Sequence, residues 1–87
     1  MTPTPEHKLR TLIHAHRKAI DTILDDAQAR VGNAILTANT EDDGATHEAI
    51  AAGVTLLNSA RGRLIQIRAI KDTASTIGIK PATLNQP

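Results

Sequence analysis

Asn39-Thr40-Glu41-Asp42-Asp43-Gly44 decides how this chain folds. It is the one strong internal turn signal, a polar run ending in glycine between two long segments of helical periodicity. Before it, Leu9, Ile13, Ile20, Ile23/Leu24, Ala27, Val31, Ala34/Ile35 and Ala38 recur at three- and four-residue steps, one stripe of a 3.6-residue helix. The opposite stripe (His7, Arg10, His14, Arg17, Asp21, Asp25, Gln28, Gly32) is polar or small. Thr4-Pro5-Glu6 starts this helix with a capping hydroxyl, a proline at the first helical position and an acid in the first turn. Gly32-Asn33 is its weak point, but the apolar stripe continues beyond it, which predicts an unbroken helix from about 5 to 39.

Beyond the turn, Thr40 or one of the two aspartates caps a second helix over about 45–77. Gly78 supplies a left-handed stop, Ile79 a hydrophobic contact behind it, and Pro81 prevents continuation. This makes residues 1–79 one helical-hairpin domain, with 80–87 expected as a flexible tail. The second helix carries two apolar seams. Ile50, Val54, Leu57 and Leu64 form one; Gly53, Leu56, Ala60, Ile67, Ile70, Ala74 and Ile77 form the other, with coiled-coil spacing. One partner needs one seam, so two seams imply two neighbours. The expected architecture is therefore all-α: a long antiparallel helical hairpin that dimerises into a four-helix bundle. The homodimer interface expected from the sequence is His16, Ile50, Gly53, Leu57, Ala60, Leu64 and Ile67. A buried imidazole at His16 would make that association weaken at acid pH.

Composition narrows the chemistry. The 87 residues contain no Phe, Tyr, Trp or Cys, and the large apolar residues are eight Leu, ten Ile, two Val and one Met. A chain this short has a marginal core, and one built without rings often needs a second copy to complete it. Thiol catalysis, disulfides and Cys-type zinc sites are excluded, as is an aromatic platform for single-stranded nucleic acid. No Gly-rich phosphate loop or nucleophile elbow appears, and the turn lacks the alternating ligands of a calcium loop. Metal and cofactor are expected to be absent. His14 and His16 point about 160° apart on a helix, His7 and His14 sit two turns apart, and His47-Glu48 is followed by Ala51 where a zinc-protease motif requires histidine. With no catalytic motif, no pocket and no small-molecule substrate implied, the chain reads as non-enzymatic. No apolar run is long enough to span a membrane and the start resembles no secretory signal, so the expected location is cytoplasmic.

Charge is sorted along the chain. Between Asp21 and Glu48 lie seven acids against one base, Arg30, a net of −6. The remainder holds nine bases against Glu6 and Asp72, a net of +7. Folded at the turn, the hairpin becomes a polarised rod with acids at the bend. Lys8, Arg10, Arg17 and Lys18 then lie beside Arg61, Arg63, Arg68 and Lys71 toward the open end. Two rods pairing in opposite senses would bring each basic end to the other's acidic bend. The reading that follows is a small protein–protein interaction module, an adaptor or inhibitor for a charged partner surface. The alternative is a helical dimer that grips nucleic acid with the eight bases.

One segment bears on that alternative. Ala49-Ile50-Ala51-Ala52-Gly53-Val54-Thr55, followed by Ser59-Ala60-Arg61, resembles the helix-turn-helix of bacterial repressors. The resemblance implies a turn near Gly53 and a DNA-reading helix after it. Glu48, Ser59 and Gly62 stand where that motif buries apolar residues, and Leu56 and Leu57 would be exposed, so these residues fit a continuous amphipathic helix better.

Overall fold

A computed structural model describes residues 4–84. Among them the chain forms three helices and no strand: α1 (Pro5–Asn39), α2 (Asp43–Thr76) and a short α3 (Pro81–Leu84). α1 and α2 pack tightly as an antiparallel hairpin, a rod of 58 × 23 × 18 Å. The length follows from 35 helical residues at about 1.5 Å each. Thr4 caps α1 as its sequence implies, its Oγ1 accepting from the His7 N–H at 3.1 Å. α1 passes through Gly32 without a break, and a methyl group there would meet nothing within 4 Å. α2 is likewise continuous through Gly53, so the turn required by the helix-turn-helix resemblance does not exist.

The bend takes only Thr40, Glu41 and Asp42, and its hydrogen bonds explain its sharpness. The Asp42 N–H donates to Thr37 O at 2.9 Å and the Glu41 N–H to Ala38 O at 3.1 Å, the pair of bonds that closes a helix around a left-handed residue. That residue is Glu41, at φ 61°, where glycine would be the unstrained choice. Asp42 then starts α2: its Oδ1 accepts from the Ala45 N–H at 3.0 Å. A single residue thus closes one helix with its backbone and opens the next with its side chain. The same closing motif recurs at the end of α2, now with glycine. Gly78 has φ 88°, its N–H donates to Ser75 O at 3.1 Å, and the Ile79 N–H donates to Ala74 O at 2.8 Å.

The seam between α1 and α2 follows an alternating three–four spacing. Leu9, Ile13, His16, Ile20, Ile23, Ala27, Ala34 and Thr37 face inward from α1. Thr46, Ala49, Gly53, Leu56, Ala60, Ile67, Ile70 and Ala74 answer from α2. Cross-helix neighbours set the register: the Thr37 and Thr46 hydroxyls lie 2.8 Å apart, and a methyl on Gly53 would sit 3.8 Å from Arg30 Cβ. Of the two seams on α2, it is the one holding Gly53, Ala60 and Ile67 that is consumed inside the hairpin.

The stretch expected to be a flexible tail behaves differently as far as residue 84. α2 has already ended at Thr76, Pro81 begins another helix, and α3 folds back over the open end. Leu84, 1% exposed, joins Ile13, Ile67 and Ala74 in the buried core, flanked by Leu9, Ile20, Ile70 and Ile79. The remainder of the expected tail, 85–87, lies outside the described residues.

Candidate functional site

The second seam of α2 remains uncovered, and α1 supplies a matching edge. Val31, Ile35, Ile50, Val54 and Leu57 line a cleft of about 350 Å³ between the two helices in the half of the rod nearest the turn. Leu24, Ala27 and Gln28 extend it into an adjoining hollow of about 310 Å³ that shares Val31 and Leu57. Leu64, one heptad beyond Leu57, continues the line. Leu24, Val31, Ile35, Ile50, Val54, Leu57 and Leu64 are each between 41 and 57% exposed. At roughly 90 Å² apiece they leave on the order of 600 Å² of aliphatic surface in water. That is the upper end of a monomer's largest patch and most of the roughly 800 Å² per partner in a standard interface.

The patch has a local cause. Beneath it the seam is floored by small residues, Ala27, Ala34, Ala49, Gly53 and Ala60, so the two helices come close. The larger aliphatics at flanking positions are thereby pushed to the rim. The opposite face of the same half is more mixed: its hollow of about 550 Å³ is lined by Arg30, Asn33, Thr37 and Glu48 together with alanines and Leu36, which is 66% exposed.

Along each helix the rim residues fall seven apart and change character midway. On α1 the line is Ala38, Val31, Leu24, Arg17, Arg10, counted away from the turn; on α2 it is Asp43, Ile50, Leu57, Leu64, Lys71. The exposed face is apolar toward the turn and basic toward the open end. Of the eight bases singled out from the sequence, Lys8, Arg17, Lys18, Arg61, Arg63 and Arg68 are exposed, whereas Arg10 and Lys71 are half-buried. Arg10 Nη2 lies 3.8 Å from Glu6 Oε1, and Arg63 Nη1 lies 3.2 Å from His16 Nδ1. The bases therefore ring the rod's open half instead of forming one compact surface.

The seven residues expected between two chains divide. Ile50, Leu57 and Leu64 stand on the open rim. Gly53, Ala60 and Ile67 are buried between α1 and α2 of the same chain. They are small or inward-facing because they allow the helices to approach, and they are not available to a second chain without opening the hairpin. His16 is half-buried in that internal seam, accepting a hydrogen bond from the Arg63 guanidinium, so it too belongs to the contact within one chain. On α1, the sequence stripe included Leu24, Val31 and Ile35 without separating them from the inward residues. The offset of Leu24 and Ile35 by one position from Ile23 and Ala34 on the inner line was the available signal.

His7, His14 and His47 are exposed, and no three His, Asp or Glu side chains among the described residues gather as metal ligands would. No helix among them is long and apolar enough to cross a membrane. No family model, curated protein or solved structure matches the chain.

Proposed function

We propose that this protein is a small, non-enzymatic interaction module that self-associates through the apolar cleft of the turn half and acts as an adaptor or inhibitor by meeting a charged partner with its exposed charges. The observation that carries this reading is the contiguous rim of half-exposed aliphatics along the cleft, at the upper end of the apolar patch a monomer ordinarily exposes. Helical clefts of this shape accept the apolar ridge of another helix, so a second hairpin completes a four-helix bundle in which each chain is the other's partner. The charged flanks steer approach and discriminate among partners.

Sedimentation equilibrium tests this directly. The expected mass is that of two chains, falling to one chain for Leu57→Glu with the helical circular dichroism retained. A single-chain mass for the unaltered protein at all concentrations would remove the bundle.

A second reading, nucleic-acid binding, draws support from the six exposed bases around the open half. Fluorescence polarisation with duplex DNA and a structured RNA across a salt series separates the two. The module reading expects no binding at physiological salt. Affinity that collapses with salt and is reduced by Arg61→Glu with Arg68→Glu would favour the nucleic-acid reading.

A further inference from the structure

We infer that two copies pair antiparallel and offset, overlapping through their turn halves, so that each acidic bend lies against the Arg17 and Arg68 region of the other chain. The inference rests on the dimeric reading above and adds its geometry.

Three face-to-face arrangements can be compared from the rim residues. With both turns at the same end, apolar meets apolar, but Glu41 and Asp43 face their own copies and so do Arg10, Arg17 and Lys71. Antiparallel overlap along the whole rod brings acid to base, yet it lays Val31 and Ile50 of one chain on the Arg17 and Arg68 region of the other. Both leave an unfavourable contact: like charges stacked in the first, apolar surface against guanidinium groups in the second.

Sliding the antiparallel pair removes both faults. The exposed aliphatics run from Ile35, about 9 Å from the turn, to Leu64, about 33 Å from it, at roughly 1.5 Å per residue, and they are centred about 18–20 Å from the turn, near Gln28 on α1 and Val54 on α2. A two-fold axis there places each apolar half on the other. The bend of each chain then lies about 36 Å along its partner, level with Arg17 on α1 and between Leu64 and Arg68 on α2. Glu41 and Asp43 are exposed at that bend, as are Arg17 and Arg68. Lys8, Arg10 and Lys71 project beyond the partner's turn, so the assembly carries one basic end at each extremity.

The chain contains no cysteine, which makes thiol cross-linking unambiguous. Gln28→Cys sits near the proposed axis, and Asn39→Cys sits at the bend, where only a same-end arrangement brings copies together. With a short bis-maleimide, the expected result is rapid covalent dimer from Gln28→Cys and none from Asn39→Cys. Charge provides a second arm: Arg68→Glu should weaken the dimer about ten-fold, and adding Asp43→Arg in the same chain should recover most of that loss.

A two-chain mass with cross-linking at Asn39, whether or not Gln28 also links, would overturn the offset antiparallel geometry and leave the dimer standing. So would failure of the charge swap to recover affinity in a protein that still dimerises. A single-chain mass with no cross-link at either position would remove the dimer itself.

Discussion

The two halves of this rod handle the same aliphatic residues in opposite ways. In the open half, Ile13, Ile67 and Leu84 are buried in one cluster, closed off by Ile79 and α3. In the turn half, the seam holds Ala27, Ala34, Ala49 and Gly53, while Val31, Ile35, Ile50, Val54 and Leu57 stand around it in water. The open half uses large side chains to hold the hairpin together, although Leu12, Ile65 and Ile77 there also stand in water, between 51 and 60% exposed. The other uses small ones for that purpose and presents its large ones outward. The difference teaches that burial, not residue type, separates the stabilising half from the recognising half.

Matched truncations should break or uphold that division. Ile13→Ala removes a side chain that is 1% exposed and should cost about 3–4 kcal/mol in urea unfolding. Ile35→Ala, on the open rim, should cost less than about 1 kcal/mol when measured at concentrations where the chain is monomeric. Equal losses at the two sites would erase the distinction. Leu84→Ala comes next, at about 2–3 kcal/mol, because it empties the plug that α3 places in the open half. If α3 contributed nothing, this variant would unfold like the parent.

Smaller effects belong to the bend. Asp42→Ala leaves the Ala45 N–H without its cap and should cost about 1 kcal/mol, read as a shift in the urea midpoint. Glu41→Gly should act in the other direction, gaining about 0.5–1 kcal/mol by relieving the left-handed backbone at φ 61°. Because neither residue contributes to the apolar rim, Asp42→Ala should leave the two-chain mass intact at concentrations well above the dimer constant.

Much of this was legible in the residues. The helix bounds follow from caps and breakers, and α1 ends at Asn39, where the periodic stripe gives way to the polar run. The two seams of α2 were also readable as spacing. What spacing could not assign was which seam closes the hairpin, because both are apolar. Small residues separate them: the inner seam carries Gly53, Ala60 and Ala74 among its large side chains, and the rim seam of Ile50, Val54, Leu57 and Leu64 has none. Leu84 was hidden for a different reason. It stands alone after Gly78 and Pro81, so no periodicity points to it, and only the proline at the first position of α3 hints at renewed helix. The strain at Glu41 was equally silent, since the neighbouring glycine, Gly44, lies inside the first turn of α2.

The register of the hairpin also dictates an order of assembly. Facing residues are nine apart in the chain at Thr37 and Thr46 but 47 apart at His16 and Arg63. Loop closure grows costlier with each step outward, so the helices zip from the bend, and the Ile-rich cluster forms last. The first contacts made are therefore the weakest apolar ones, Ala and Gly against Thr and Arg. On this order Asp42→Ala should slow folding, whereas Leu84→Ala should mainly speed unfolding, as stopped-flow measurements in urea would read.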